Sequence, residues 1–205
     1  AHNMKKMKTT EAGTLADAER IKEAAPAVKV FFYWNSFIHY ADNYGATAGF
    51  DDRWALRDKK GQYVRVRGKW KRFDHTQPAL REWWSTVAAD VLSNRSIDGV
   101  FVDALPQLAA RPAANAVIWG ADKQAALEKG VMESLHLLRQ KTNNRKLIIY
   151  NGMRGTPRIW PDGGSRYLDH TDGAIVEHFV SFDEKNKVTV ARDLQLIEQA
   201  GKRKK

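Results

Sequence analysis

Residues 98–105 read DGVFVDAL, and residues 172–179 repeat the same pattern as DGAIVEHF. In each stretch an Asp-Gly pair precedes three apolar residues, and a carboxylate follows five positions after the first Asp. Asp-Gly is typical of a turn, and a short continuous apolar run is typical of a strand that is buried on both faces. The pattern therefore predicts two equivalent strands, which end at Asp103 and Glu177.

Other apolar runs extend this pattern along the chain. VKVFFYW and KLIIY predict two further strands, which end just before Asn35 and Asn151. The four predicted strands are 28–34, 99–103, 146–150 and 173–177, and the predicted helices are 14–26, 78–94, 121–142 and 188–200. Helices that alternate with short buried strands are typical of parallel βαβ units. The sequence therefore predicts the α/β class.

The order of the elements fits either a doubly wound sheet or a (β/α)8 barrel. The chain has no G-x-G-x-x-G after a strand and no G-x-x-x-x-G-K-[ST], so the usual nucleotide-binding loops are missing and the barrel is favoured. A barrel has eight strands in about 250 residues, whereas this chain has 205 residues and four clear strands. We expect a single domain over residues 1–205 that forms an incomplete (β/α)8 barrel of the TIM type.

Residues 51–74 form a polar, basic excursion between the first two strands. The alternation in QYVRVR (62–67) predicts a hairpin or a short edge strand. The formal net charge of +10 is concentrated in this excursion and near both termini, which favours an anionic partner: nucleic acid, an acidic polysaccharide or a membrane surface. Tyr63, Trp70 and Phe73 suit stacking on nucleic-acid bases. The same segment also suits the guidance of an acidic or sulfated polysaccharide, or a solvated surface loop.

Several classes of function lack their sequence signals. The chain has no Cys, which removes disulfides, thiolate catalysis and thiolate metal sites. Its six His show no H-E-x-x-H or comparable spacing, so we expect no metal site and no cofactor. No apolar run approaches the roughly 20 residues of a membrane helix, and the first residues carry no signal-peptide pattern. We expect no membrane partner.

Each of the four predicted strands ends in a polar residue, at the end where α/β barrels build active sites. These residues are Asn35, Asp103, Asn151 and Glu177. If the strand before Asn151 lies between the other two, Asp103 and Glu177 face one pocket, because strands two apart are about 10 Å apart at the backbone. Two facing carboxylates suit glycoside hydrolysis: one protonates the leaving oxygen, and the other attacks the anomeric carbon or activates a water.

Aromatic, amide and imidazole side chains near these strand ends are suited to hold a sugar. The predicted substrate-binding residues are Tyr33, Trp34, Asn35, Asn151, Trp160 and His178. Asp98 and Asp172, which begin the two matching strands, are predicted to be turn residues at the opposite edge of the sheet. The predicted catalytic residues are therefore Asp103 and Glu177.

Four segments resemble one family of barrel proteins: RFDHTQPALREWW (72–84), IDGVFVDALPQ (97–107), LIIYNGM (147–153) and DGAIVEHF (172–179). They are similar to the proteins grouped as hypothetical glycosyl hydrolase family 15. The resemblance implies that the four strands are roughly strands 3 to 6 of the barrel, that Asp103 is the nucleophile or base, and that Glu177 is the general acid. It also implies a carbohydrate substrate and an extracellular or periplasmic location, with little activity in the isolated chain.

Two other functions stay open at this point. One is a barrel that binds glycan without cleaving it, and its carbohydrate affinity would survive the loss of either acid. The other is a basic module that binds nucleic acid, with an affinity that falls steeply with salt because phosphate contacts release counterions.

Overall fold

A computed structural model of the chain describes residues 9–107, 112–154, 162–177 and 187–203. The helices in these ranges are α1 (Thr10–Ala24), α2 (Pro78–Leu92), α3 (Pro112–Trp119), α4 (Ala121–Lys141) and α5 (Lys187–Arg203). The strands are β1 (Phe31–Asn35), β2 (Arg65–Val66), β3 (Trp70–Lys71), β4 (Gly99–Asp103), β5 (Leu147–Asn151) and β6 (Gly173–Ile175). None of these helices is both long and apolar enough to cross a membrane.

Four of the strands form one parallel sheet, in the order β1, β4, β5, β6. The predicted α/β class is therefore confirmed. The described residues supply four of the eight parallel strands that a closed (β/α)8 barrel has, as expected for an incomplete barrel. Because all four strands run the same way, their carboxyl ends meet at one edge of the sheet, and β5 lies between β4 and β6.

The two faces of the sheet are covered differently. Alternate side chains of the strands belong to the buried core: Phe32, Trp34, Val100, Val102, Ile148 and Tyr150. Helices α2 and α4 pack against each other, and α2 also contacts β1 and β4. The residues between them point to the opposite face, where Tyr33 and Leu147 are 37% and 40% exposed. This opposite face is the one that carries the candidate active site.

Several element boundaries differ from the prediction, and three of these differences lie in α1 and β6. Helix α1 begins at Thr10 rather than at residue 14, because the side chain of Thr9 caps its first turn. It ends at Ala24 rather than at residue 26, because Pro26 disfavours a helical conformation in the residue before it. Strand β6 ends two residues before Glu177, so that carboxylate lies just beyond the strand.

Asp98 and Asp172 link neighbouring strands by hydrogen bonds at the amino-terminal edge of the sheet. The carboxylate of Asp98 accepts a hydrogen bond from the N–H of Val30 (2.8 Å), and that of Asp172 accepts one from the N–H of Ile148 (2.7 Å). Each carboxylate also pairs with basic side chains. The Asp of each Asp-Gly pair thus links the start of one strand to its neighbour: Asp98 links β4 to β1, and Asp172 links β6 to β5. This explains why both sequence stretches begin with Asp.

The basic excursion contains a two-stranded antiparallel hairpin of β2 and β3. Arg67 and Gly68 at its tip both have positive φ angles, 51° and 69°, as in a type I′ turn. After β3 the chain pairs with the segment that follows β1, where the N–H of His39 donates to the carbonyl oxygen of Lys71 (2.9 Å). The hairpin therefore stands beside the carboxyl end of β1.

Candidate active site

Asp103 lies at the end of β4, opposite Asn35 at the end of β1. Its Oδ2 accepts hydrogen bonds from the hydroxyl of Tyr33 (2.5 Å) and from the Nδ2 of Asn35 (3.3 Å). Tyr33 and Asn35 are two residues apart on one strand, so their side chains project to the same face. Hydrogen bonds to a carboxylate are stronger than neutral ones, and they hold this side chain in one orientation.

The side chain of Asn35 is itself fixed by the backbone. Its Oδ1 accepts hydrogen bonds from the N–H groups of Phe37 (2.9 Å) and Ile38 (2.7 Å), which leaves Nδ2 to face Asp103. The N–H and the hydroxyl of Ser36 both donate to the carbonyl oxygen of Asp103 (3.0 and 2.8 Å). The ends of β1 and β4 are therefore locked together through side-chain and backbone contacts.

Asn151, at the end of β5, joins the two carboxylates. Its Nδ2 donates to Oδ1 of Asp103 (3.0 Å) and to Oε2 of Glu177 (2.8 Å). Since both oxygens contact the same nitrogen, they lie no more than about 5.8 Å apart. The structure thus brings together both predicted catalytic acids and the amide that was expected beside them.

Tyr33 is held with its hydroxyl towards Asp103. Partial burial and the hydrogen bond to Asp103 raise the pKa of Tyr33 above its usual value, so the phenol stays protonated and remains a donor. Its ring stacks on Phe101 with 6.0 Å between centroids, and the hydroxyl of Tyr44 donates to its carbonyl oxygen (3.3 Å). The ring and the backbone of Tyr33 are both anchored.

The chain turns sharply after Asp103. Ala104 has a φ of 61°, in the left-handed region that costs a residue with a Cβ about 1–3 kcal/mol. The residue is buried, so the surrounding packing keeps it in this conformation. Strained backbone of this kind concentrates at functional sites, which agrees with its position next to a candidate catalytic residue.

Sequence reasoning does not find His75, which is buried behind the site. Its Nε2 lies 2.6 Å from the carbonyl oxygen of Ser36, and its Nδ1 lies 2.8 Å from the hydroxyl of Ser134. Complete burial lowers the pKa of His75 to about 4, so the ring is neutral at pH 7 and Nε2–H donates to Ser36. Through its two ring nitrogens, His75 therefore links Ser134 of α4 to Ser36, which directly follows β1. The segment RFDHTQP (72–78) is the signal that could have pointed to it.

The predicted substrate-binding residues fall into three groups. Three of them surround the carboxylate of Asp103: Tyr33, Asn35 and Asn151. Trp34 is only 2% exposed and belongs to the core, because neighbours on a strand point to opposite faces; the expectation that it contacts a substrate is therefore corrected. Trp160 and His178 lie outside the described residues. In the described part of the chain, no group of three or more His, Asp or Glu side chains is placed to hold a metal ion.

A parallel α/β sheet with two neighbouring carboxylates at its carboxyl edge is the arrangement that barrel glycoside hydrolases use. Within this class the chain belongs to hypothetical glycosyl hydrolase family 15, whose sequence model matches residues 22–205. The match confirms the resemblance drawn from the four sequence segments. No protein of curated function matches the chain in sequence.

Two solved structures share the fold. The glycoside hydrolase domain of PelA from Pseudomonas aeruginosa is 14% identical with a TM-score of 0.52, over 70% of this chain and 50% of that one. The cycloisomaltooligosaccharide glucanotransferase of Paenibacillus sp., complexed with cycloisomaltoheptaose, is 14% identical with a TM-score of 0.53, over 80% of this chain and 24% of that one. At this identity the similarity concerns the fold alone. The chain spans half or less of the length of these structures.

Proposed function

We propose that this chain carries the catalytic residues of a glycoside hydrolase that cleaves a polysaccharide or oligosaccharide with retention of anomeric configuration. Family membership supports the reaction class. The observation that supports the stereochemistry is the amide of Asn151, whose nitrogen contacts Oδ1 of Asp103 and Oε2 of Glu177, so that these two oxygens lie within about 5.8 Å of each other. Retaining enzymes separate their carboxyl groups by about 5–5.5 Å and inverting enzymes by about 6.5–9.5 Å.

Asp103 is the nucleophile in this proposal. Donors from Tyr33, Asn35 and Asn151 converge on its two oxygens and orient them for attack. Asp103 attacks the anomeric carbon, the bond from that carbon to the leaving oxygen breaks, and a glycosyl ester forms on Asp103. Preorganised donors favour this step, because no side chain has to be reoriented during the reaction.

Glu177 acts first as the general acid and then as the general base. In the first step its proton passes to the leaving oxygen as the glycosidic bond breaks. In the second step it takes a proton from the water that attacks the same carbon, and the ester bond to Asp103 breaks. Both carboxyl groups then return to their starting states.

The experiment uses the natural protein with a panel of dinitrophenyl glycosides and their 2-deoxy-2-fluoro analogues. We expect mass spectrometry to find a covalent glycosyl adduct on the peptide that contains Asp103, and none in Asp103→Asn. Glu177→Gln should lose turnover and regain it with azide, a nucleophile that needs no general base. Asp90→Asn removes an exposed carboxylate from α2 and serves as the matched control.

Near-normal rates in both Asp103→Asn and Glu177→Gln would overturn the assignment of the catalytic residues. A product of inverted configuration would overturn the retaining mechanism. Glycan binding without any turnover, unaffected by loss of either acid, would instead support a barrel that binds glycan without cleaving it.

A further inference from the structure

A cavity of about 330 Å³ opens beside the hairpin of β2 and β3. The segment that follows β1 forms one wall, which includes His39 and Asp42, and the hairpin forms the other, which includes Arg65, Lys69 and Trp70. Pockets for small ligands commonly measure about 300–1,000 Å³. The cavity contains none of the side chains that surround Asp103, so it is a separate feature of the surface.

The cavity and the candidate active site lie close together. His39 follows Asn35 by four residues, and four Cα steps span at most about 15 Å. Tyr40 lies between the two sites: its ring packs edge-on against Trp70 with 5.2 Å between centroids. Burial and, secondly, the nearby charge of Asp103 raise the pKa of Tyr40. One glycan chain can therefore extend from the carboxylates into the cavity.

Positive charge is concentrated on the hairpin side of this cavity. Residues 51–74 contain nine Lys or Arg and four Asp. Three cations surround the ring of Tyr63, with their charged groups 3.9, 4.5 and 5.6 Å from its centroid: Arg57, Lys71 and Arg65. The guanidinium of Arg65 donates to the carbonyl oxygen of Lys69 (2.8 Å). That bond leaves its positive charge available to an anion at the cavity.

Two carboxylates also line the cavity. Asp42 pairs with Lys69 (3.0 Å) and Asp52 pairs with Lys71 (2.5 Å). Carboxylates accept hydrogen bonds from sugar hydroxyls, whereas a DNA backbone offers no donors. The cavity combines these cations and carboxylates with the ring of Trp70, and this combination favours a glycan over DNA.

His39 adds a polar group that lacks a partner. Its ring stacks on Phe50 with 3.9 Å between centroids, its side chain is only 8% exposed, and its Nε2 is buried without a hydrogen-bond partner. Burial, and then the charge of Lys71, lower the pKa of His39 to about 4. The ring is therefore neutral at pH 7 and adds no charge to its wall of the cavity.

We infer that this cavity is a subsite for an anionic sugar unit, a uronate or a sulfated sugar, of the same glycan that is cleaved between Asp103 and Glu177. The inference rests on the proposed function and adds a substrate class to it. Arg65 and Lys69 contact the carboxylate or sulfate group through charge-assisted hydrogen bonds. Trp70 presents its ring to the apolar side of the sugar.

Binding is measured by calorimetry with four probes: an oligogalacturonate, a heparin oligosaccharide, a neutral cello-oligosaccharide and a single-stranded DNA oligonucleotide with the charge of the heparin probe. We expect one anionic oligosaccharide to bind, and Arg65→Gln with Lys69→Gln to weaken its binding about tenfold or more. The matched control is Arg95→Gln with Arg145→Gln. It removes the same charge from exposed loops at the opposite edge of the sheet and should leave binding unchanged.

Equal weakening by both double variants would mean that only net charge matters and would overturn the subsite. Tighter binding of DNA or of the neutral probe, or no binding of either anionic oligosaccharide, would overturn it as well. Asp103→Asn should abolish hydrolysis and keep this binding. Failure of the proposed function and failure of the subsite therefore give different results.

Arg65 also bonds to the hairpin backbone, so its substitution removes a contact within the hairpin as well as a charge. A second measurement therefore uses the unaltered protein. Lysines are acetylated with and without the bound oligosaccharide, and the rate at each site is followed by mass spectrometry. Lys69 and Lys71 should lose most of their reactivity when the oligosaccharide is bound, while Lys129, which is exposed on α4, should not. An unprotected Lys69 at saturating oligosaccharide would contradict the inference.

Discussion

Asn35 and Asp103 face each other across neighbouring parallel strands, and the Nδ2 of Asn35 lies 3.3 Å from the Oδ2 of Asp103. The amide is held from its other side by two backbone N–H groups. Backbone geometry therefore sets the orientation of the candidate nucleophile, which reduces the reorganisation needed in a reaction. Substitutions within this network should lower turnover more than they lower stability.

Asn151→Ala removes the amide that contacts both carboxylates. We expect the kcat for an activated glycoside to fall by about 10²-fold, as for the loss of one preorganised donor in other enzymes. Gln140→Ala, which removes an exposed amide from α4, should leave the rate unchanged. If steady-state kinetics gave equal rates for the two variants, Asn151 would have no part in catalysis.

Tyr33→Phe removes the hydroxyl that donates to Asp103 and keeps the ring that stacks on Phe101. We expect kcat to fall by about tenfold or more, since a donor to a charged group is lost. Because the pKa of Tyr33 is raised, the unaltered protein should not lose activity through ionisation of this phenol near pH 10. The measurement is the pH profile of kcat for both proteins. An alkaline loss near pH 10 that disappears in Tyr33→Phe would contradict the raised pKa.

Asp98→Asn tests whether the first Asp of DGVFVD (98–103) has a structural role, distinct from the catalytic role proposed for Asp103. Burial opposes the charged form of Asp98, but hydrogen bonds from Lys22 and from the N–H of Val30 outweigh it and lower its pKa to about 2. Its stabilising contribution is therefore complete above pH 3.8 and is lost as the pH falls towards 2. We expect Asp98→Asn to lower the free energy of unfolding at pH 7 by about 1 kcal/mol, after solvent screening of the lysine pairs.

The control for this prediction is Asp103→Asn, which should abolish turnover at a smaller cost in stability. Urea denaturation and the rate of hydrolysis are measured for both variants. The opposite result, with Asp98→Asn inactive and Asp103→Asn active, would mean that the two carboxylates have exchanged roles.

His75 should make the protein less stable in weak acid. Its pKa is about 4 in the folded protein and 6.5 without burial, so between these values the unfolded chain takes up a proton that the folded chain does not. The contribution of the neutral, buried His75 to stability is therefore fully present above about pH 6.5, and it falls as the pH is lowered. At pH 5 the loss from this residue is about 2 kcal/mol.

His75→Gln should remove much of this dependence, and urea denaturation at pH 7.5 and 5 measures it. His39 keeps its own contribution in that variant, because its pKa is also lowered to about 4. The control is His136→Gln, which replaces an exposed residue of α4. The same loss between pH 7.5 and 5 in unaltered protein and in His75→Gln would exclude the buried imidazole as its cause.

Much of the fold could be read from local sequence. A run of apolar residues that ends in a polar one marks a buried strand and its exit from the core, and this placed Asn35, Asp103 and Asn151 at one edge of the sheet. Asp-Gly marked the opposite edge at Asp98 and Asp172. These predictions succeeded because turns and short buried strands depend on residues that are close together in the chain.

The sequence by itself determined the strands and the polar residues at their ends. Only the tertiary structure decided which side chains meet. Trp34 and Tyr33 are adjacent aromatic residues, yet helix packing buries Trp34 and leaves Tyr33 beside Asp103. The contacts of His75 join residues 39 and 59 positions apart. Such contacts depend on how helices pack on the sheet, and local backbone preferences carry no information about partners that distant.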